Sequence, residues 1–176
     1  TFLGSIYTEL GKYDQSLEYH QHALDIRKEF GLSNRHHQIF IANSLDGIGT
    51  VYHRQKKFKE AIDYYRQALK IKEEICPSNH SELAQSFNNI ALLQTDLSNY
   101  DDALELFTKA LQINEKLYPL GDILVASTMT NIGIVLHRQG NYTQAIEIYK
   151  NSRQMLEKLY PKGHINIALN LYNTAL

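Results

Sequence analysis

Hydrophobic residues recur along the chain at steps of three and four positions. Leu45, Ile48 and Tyr52 stand at i, i+3 and i+7, which places them on one face of a helix. After a short polar turn at residues 54–57, the stretch 58–69 shows the same spacing. The pattern therefore predicts two amphipathic helices, A and B, that are joined as a hairpin.

This hairpin pattern repeats with a constant period. Segments that begin at Ser44, Ser86 and Thr128 align without gaps and start 42 residues apart. The N-terminal stretch aligns with an offset of 45 residues, and its three additional residues fall in the loop between Phe30 and Ala42. Self-similarity at a fixed period of this length is typical of solenoid repeats, whereas unrelated helices in a bundle would not reproduce it.

The period divides the chain into four repeats and the beginning of a fifth. The predicted segments are 1–43, which is truncated and carries the loop insertion, 44–85, 86–127, 128–169 and 170–176. Because both termini fall within a repeat, we expect the chain to be one solenoid fragment of a longer all-α array.

The ends and crossings of the helices also have sequence signals. The B helices are expected to end before three prolines, Pro77, Pro119 and Pro161. Asp122 suits an N-cap, and Asn79 with Glu82 resembles a capping box. Small residues recur at two aligned positions, which hold Gly49, Ala91 and Gly133, and Ala61, Ala103 and Ala145. Helix axes that are about 8–10 Å apart need such side chains where they cross.

These residues resemble the tetratricopeptide repeat family. Its pattern is present in the fourth repeat as Ile132-Gly133, Gly140-x-Tyr142, Ala145 and Tyr149. The period of 42 and the linker Pro77-Ser78-Asn79-His80 are similar to the kinesin light chain and nephrocystin subgroup. The third repeat departs from the pattern at Gln94 and Ser98, so that hairpin is expected to pack less tightly. The resemblance implies a right-handed superhelical α-solenoid of antiparallel helix hairpins, in which the A helices line a concave groove.

If this geometry applies, one face of the A helices forms a groove for a partner. The predicted groove residues are Asp46, Thr50, His53, Arg54, Asn88, Asn89, Leu92, Thr95, Asp96, Thr130, Asn131, Ile134, His137, Arg138 and Asn173.

Two kinds of side chain in this set point to peptide binding. Asn89, Asn131 and Asn173 are each 42 residues apart, and an amide both donates to and accepts from a peptide backbone. Arg54 and Arg138 are suited to bind carboxylates with two parallel hydrogen bonds. The alternative is that all of these are ordinary solvated helix positions.

Residues suited to metal or acid–base chemistry have simpler explanations. His80 and His164 occupy aligned linkers in successive hairpins, which places them roughly 20 Å apart, far beyond the ~2 Å zinc–ligand distance. The pair His36-His37 is read in the same way, as part of a linker. Asp101-Asp102 opens a helix, where negative charge is favourable. Phosphate-loop and nucleophile-elbow motifs are absent, so we predict no catalytic, cofactor or metal site.

Composition narrows the class of partner. The 18 basic and 19 acidic residues give a net charge of −1, which offers no general attraction to nucleic acid or to acidic membranes. A single cysteine and the lack of a long apolar run favour a cytoplasmic protein.

Three functions are compatible with these features. The first is a scaffold or adaptor that binds a protein or an extended peptide with acidic and apolar residues. The second is a regulatory or targeting array of a larger multidomain enzyme, such as an ADP-ribosyltransferase or a signalling ATPase, whose catalytic domain lies outside these residues. The third is a solenoid that self-associates through exposed ends.

Overall fold

The chain folds into helices throughout the part that the structure describes. The computed structural model describes residues 2–30 and 35–161, together with 165, 167, 168 and 170. Its helices are α1 (Phe2–Glu9), α2 (Tyr13–Phe30), α3 (Arg35–Arg54), α4 (Phe58–Ile75), α5 (Ser81–Asp96), α6 (Tyr100–Leu117), α7 (Ile123–Arg138) and α8 (Tyr142–Leu159). None of the residues described is in a strand. The prediction of an all-α fold is confirmed.

The helices form two compact units, residues 1–93 and 94–176, with the boundary inside α5. In the first unit α1 packs on α2, α2 on α3 and α3 on α4, and α1 also packs on α3. In the second unit α6 packs on α7 and α7 on α8. The odd-numbered helices are the predicted A helices and the even-numbered helices are the B helices.

The bounds of the B helices keep the predicted period. The helices α4, α6 and α8 begin at Phe58, Tyr100 and Tyr142, and each ends two residues before a proline. The predicted repeat starts at 44, 86 and 128 fall inside α3, α5 and α7, so each structural hairpin begins earlier than its predicted repeat.

Helix α3 occupies much of the stretch in which the sequence predicts a loop insertion, between Phe30 and Ala42. Helix α3 begins at Arg35 and has 20 residues, whereas α5 and α7 have 16 each. The additional residues therefore lengthen an A helix. The beginning of the fifth repeat, at residues 170–176, lies outside the described residues except for Asn170, which is helical.

Small residues allow the helices of a hairpin to approach closely. A Cβ added at Gly49 would lie 2.8 Å from Cδ1 of Tyr65, and one added at Gly133 would lie 2.5 Å from Cε1 of Tyr149. Neither distance is found for real Cβ atoms, so these tyrosine rings occupy the space that glycine leaves. Ala61, Ala103 and Ala145 are likewise buried.

In the first hairpin a histidine replaces the buried tyrosine. A Cβ added at Gly4 would lie 2.7 Å from the ring of His20, and one at Gly47 would lie 2.3 Å from it. Burial lowers the pKa of His20 to about 4, and nearby positive charges that include Arg27 act in the same direction. The histidine is therefore neutral near pH 7 and belongs to the core.

The turn between helices A and B requires a left-handed backbone. Its second residue has a φ of 69° at Gly11, 60° at Lys56, 62° at Ser98 and 84° at Gly140. Glycine adopts this conformation freely, whereas other residues do so at a cost. The tight A–B turn is thus kept in all four hairpins although only two of them have glycine there.

Polar side chains connect each hairpin to the next within a unit. Nη1 of Arg27 donates to the carbonyl oxygen of Phe40 at 2.8 Å and to Oγ of Ser44. Nδ2 of Asn114 donates to Oγ1 of Thr128 at 3.3 Å. Arg27 and Asn114 occupy the same repeat position, which is also the position of Lys72.

The helix starts agree with one of the two predicted caps. Oδ1 of Asp122 accepts from the backbone N–H of Leu124 at 2.8 Å, as expected of an N-cap. The capping box at Asn79 is wrong, because α5 begins at Ser81 and Nδ1 of His80 accepts from the N–H of Glu82 at 3.2 Å.

Candidate functional site

The candidate site is the face of the A helices on which the sequence predicts a groove. Eleven of the fifteen predicted residues are exposed or half-buried: Thr50, His53, Arg54, Asn88, Asn89, Leu92, Asp96, Asn131, Ile134, His137 and Arg138. Three are buried: Asp46, Thr95 and Thr130. Asn173 lies outside the described residues.

Asp46, a predicted groove residue, belongs to a buried ion cluster. Nζ of Lys72, a side chain with no exposed surface, donates to Oδ2 of Asp46 at 2.7 Å. The same nitrogen lies 2.8 Å from a carboxylate oxygen of Glu82 without hydrogen-bond geometry. Burial raises the pKa of Asp46, while Lys72 and a hydrogen bond from Asn89 lower it. Asp46 therefore joins α3 to α4 and is not available to a partner.

Thr130 is also unavailable. Its Oγ1 donates to the carbonyl oxygen of Ala126 at 3.0 Å and lies 3.0 Å from Oγ of Ser152. Nδ2 of Asn170 donates to it at 3.1 Å. Thr95 is buried, and its backbone carbonyl oxygen accepts from Nη1 of Arg138, another predicted groove residue, at 3.5 Å.

The two predicted carboxylate-binding arginines already have acidic neighbours. Nη2 of Arg54 lies 3.4 Å from Oε1 of Glu9, and Nη1 of Arg138 lies 3.2 Å from Oδ1 of Asp96. Each pair connects successive A helices at their C-terminal ends. Both pairs are well exposed, and pairs of this kind contribute little to stability, so a partner can compete for the arginines.

Aromatic rings fix the two predicted histidines. The ring of His53 meets those of Phe58 and Tyr65 edge-on, with centroids 5.8 Å and 6.4 Å apart. The ring of His137 meets that of Tyr142 in the same way at 5.3 Å. The first residue of a B helix thus orients a half-buried histidine in each unit.

Amide and apolar side chains form the remaining accessible part of this face. In the first unit it includes Asn88 and Leu92, and 41% of Leu92 is exposed. In the second unit it includes half-buried Asn131 and Ile134. Each unit therefore offers an amide and an apolar contact on one A helix, which suits the backbone and an apolar side chain of a bound segment.

Sequence reasoning missed a stacked aromatic motif in the first unit. Tyr7 stacks on Tyr19 with centroids 5.3 Å apart, and Tyr52 stacks on Tyr64 at 5.5 Å. In both cases a lysine lies over the ring of the tyrosine that belongs to helix A: Lys12 over Tyr7, and Lys57 over Tyr52. These residues match one another at the offset of 45, and that alignment was the signal that could have revealed the motif.

Metal-binding and membrane-spanning features were sought in the same residues. The part of the chain that the structure describes holds no group of three or more His, Cys, Asp or Glu that could bind a metal ion. His164 and the side chain of His36 lie outside that part. Among the helices described, none combines the length and the apolar character that crossing a bilayer requires.

Helical hairpins whose B helices begin at a constant period, a small-to-large contact in the first, second and fourth hairpins and a polar A-helix face define a helical repeat protein of the protein-interaction class. The model of the tetratricopeptide repeat matches residues 1–74, 40–116 and 124–176. The chain belongs to the tetratricopeptide repeat family. No curated protein sequence matches it.

Solved structures show the same fold. BtubC (BKLC) from P. vanneervenii is 18% identical, with a TM-score of 0.85 over 98% of this chain and 67% of that one. A protein from Podosopora anserina with nearly identical TPR-like repeats, described as a kinesin light chain, is 16% identical, with a TM-score of 0.79 over 98% and 81%. A Rap protein complexed with competence and sporulation factor is 19% identical, with a TM-score of 0.78 over 98% and 45%. The resemblance to repeats of the kinesin light chain type is confirmed at the level of the fold.

Proposed function

We propose that the chain is a scaffold or adaptor that binds an extended segment of another protein along its A helices. The observation that carries this proposal is the accessible pairing of an amide with an apolar side chain, Asn89 with Leu92 and Asn131 with Ile134, at matching positions in the two units. Membership of the tetratricopeptide family supports a protein-interaction role in general.

The chemistry of this face defines the partner segment. Amides pair with a peptide backbone whatever its sequence, and the leucine and isoleucine favour apolar anchors. The two arginines favour acidic residues in the partner. A partner carboxylate must, however, displace the neighbouring carboxylate with which each arginine already pairs. A uniformly acidic segment would meet Glu9 and Asp96, so the favoured partner combines acidic and apolar residues.

A matched pair of substitutions tests the proposal. Leu92→Asp changes an apolar residue of α5 that is 41% exposed, and Ile146→Asp changes one of α8 that is 42% exposed. Partners captured by the immobilised wild-type chain should bind Leu92→Asp about tenfold more weakly, because an apolar contact is replaced by a charge. Binding to Ile146→Asp should be unchanged.

Circular dichroism should show that both variants keep their helical content. Equal binding by both would place the partner elsewhere on the molecule. A stronger loss with Ile146→Asp would assign the interaction to the B helices and overturn the proposal.

A regulatory or targeting array of a larger enzyme is the second candidate. Aspartyl phosphate phosphatase F from Bacillus subtilis is 26% identical, with a TM-score of 0.73, and this chain covers 39% of its length. The rest of that chain lies outside the match, which is the arrangement that the second candidate requires.

A further inference from the structure

The C-terminal ends of the A helices alternate in sequence between two types. The four aligned triplets are Thr8-Glu9-Leu10, His53-Arg54-Gln55, Thr95-Asp96-Leu97 and His137-Arg138-Gln139. The first and third carry an acidic residue, and the second and fourth carry an arginine. The repeats therefore come in pairs, and each pair places one acidic and one basic A-helix end in the same compact unit.

The structure joins the members of each pair by a weak contact. The Arg54–Glu9 and Arg138–Asp96 distances of 3.4 and 3.2 Å exceed the 2.7–2.9 Å that is usual for a hydrogen bond between charged groups. The exposed fractions of the side chains are 58% for Arg54 and 74% for Glu9. Solvent screens such a pair, so a ligand displaces it at little cost.

In the first unit a cavity opens at the residues that follow this ion pair in the chain. It has a volume of about 350 Å³ and is lined by Gly11, Lys12, Tyr13, Asp14, Gln15 and Gln55. The first five residues follow Glu9 in the chain, and Gln55 follows Arg54. The cavity therefore lies where the turns of two successive hairpins meet, and both charge signs are present on its wall.

In the second unit a hydrogen bond spans the equivalent place. Nε2 of Gln139 donates to Oδ1 of Asp101 at 2.9 Å. By the repeat alignment Gln139 corresponds to Gln55 and Asp101 to Asp14. Within the part that the structure describes, Gln55 and Asp14 form no such bond, and Oε1 of Gln55 is buried without a hydrogen-bond partner. A hydrogen bond thus occupies this position in the second unit, whereas in the first unit the position is open and the acceptor Oε1 of Gln55 is unsatisfied.

We propose that this turn cavity, with Lys12, Asp14 and Gln55 on its wall and the Glu9–Arg54 ion pair adjoining it in the chain, binds an extended segment that carries one acidic and one basic side chain about three residues apart. The acidic side chain meets Arg54 and Lys12, and the basic side chain meets Glu9 and Asp14. Neighbouring helix axes are about 8–10 Å apart, and an extended chain advances about 3.3 Å per residue. About three residues of the bound segment therefore span the distance between the two helix ends, which sets the spacing of its two charged side chains. The inference rests on the proposed function, since it assigns a charge pattern to the same partner.

Exchange of the two charges provides the test. The double variant Glu9→Arg/Arg54→Glu keeps an ion pair at this position but reverses its direction. Two fluorescein-labelled peptides of identical composition serve as probes, one with the order acid-x-x-base and the other with the order base-x-x-acid. Fluorescence anisotropy gives the affinity of each peptide for each form of the chain.

The wild-type chain should prefer one order by about fivefold, and the double variant should lose or reverse that preference. The control variant Glu105→Lys/Lys109→Glu reverses an exposed ion pair on the B helix α6 and should retain the wild-type preference, because neither residue lies on the A helices. Equal affinities of the two peptides for the wild-type chain would overturn the inference, as would a preference that the first exchange leaves unchanged or the control exchange reverses.

The Leu92→Asp experiment separates this inference from the proposed function. If partner binding depends on Leu92 while the peptide preference is absent, the scaffold function stands and the charge pattern is wrong. If partner binding is independent of Leu92, the proposed function itself fails.

Discussion

Lys72 is the clearest case of a residue whose role depends on its surroundings. Its side chain has no exposed surface and lies between the carboxylates of Asp46 and Glu82, which belong to α3 and α5. A buried charge is tolerated only with a partner close by, because its removal from water is costly. The lysine thus ties a hairpin to the helix that follows it.

Removal of this lysine should be strongly destabilising. Lys72→Met leaves two carboxylates without their cation and should lower the free energy of unfolding by about 3–5 kcal/mol. The triple variant Asp46→Asn/Lys72→Met/Glu82→Gln removes all three charges and should recover most of the loss. Urea unfolding followed by circular dichroism gives both values.

An exposed ion pair supplies the control for Lys72. Lys109 pairs with Glu105 at 2.7 Å on the surface of α6, so Lys109→Met should cost less than about 0.5 kcal/mol. A similar small loss for Lys72→Met would show that the buried cluster does not stabilise the fold as described.

The limits of sequence reasoning are visible at the same residue. The aligned positions hold Arg27, Lys72, Asn114 and Leu156, a series that does not reveal burial. Asp46 aligns with Asn88 and Thr130, and this alignment favoured the prediction that all three lie in the groove. Burial of a polar residue on a helix depends on how the next helix packs against it, and a periodic pattern does not contain that information. For this reason the burial of Asp46 and Thr130 could not be predicted from the sequence.

At the level of the elements, the A–B turn is built in the same way in all four hairpins. Its second residue is left-handed whether it is Gly11, Lys56, Ser98 or Gly140. The hairpin geometry therefore dictates the backbone conformation, and the sequence tolerates a non-glycine residue at some cost. The departure at Ser98 places a non-glycine residue at the left-handed position and leaves the bounds of α5 and α6 in the period.

Reciprocal substitutions measure this cost. Ser98→Gly should raise the free energy of unfolding by about 0.5–1 kcal/mol, because the left-handed conformation is less strained for glycine. Gly140→Ser should lower it by a similar amount, and an added Cβ there meets no atom within 4 Å, so the effect is conformational. Urea unfolding midpoints provide the comparison. A stabilising effect of Gly140→Ser would contradict the assigned turn geometry.

The bounds of the elements were the most predictable feature of the fold. Pro77 and its equivalents stop the B helices, and Asp122 starts α7 through a local hydrogen bond, so both signals act within a few residues. The start of α3 was predicted poorly. A three-residue insertion can extend a helix or a loop with the same hydrophobic pattern, and here it extends the helix.

At the scale of the whole molecule, the two compact units share one plan. Each unit contains an ion pair between the ends of successive A helices, a histidine held by an aromatic ring and an amide beside an apolar residue. The family and the fold follow from the period, whereas the partner depends on the few side chains that remain accessible on the A helices. Those side chains are the basis of the proposed scaffold function.

Site-specific photo-crosslinking tests that function most directly. Benzoylphenylalanine is placed on A helices at Asn88 and Asn131, and on B helices at the exposed positions Gln112 and Lys150. A scaffold that binds an extended segment along its A helices should form partner adducts from positions 88 and 131 and not from 112 and 150. Adducts from the B-helix positions alone would contradict the account.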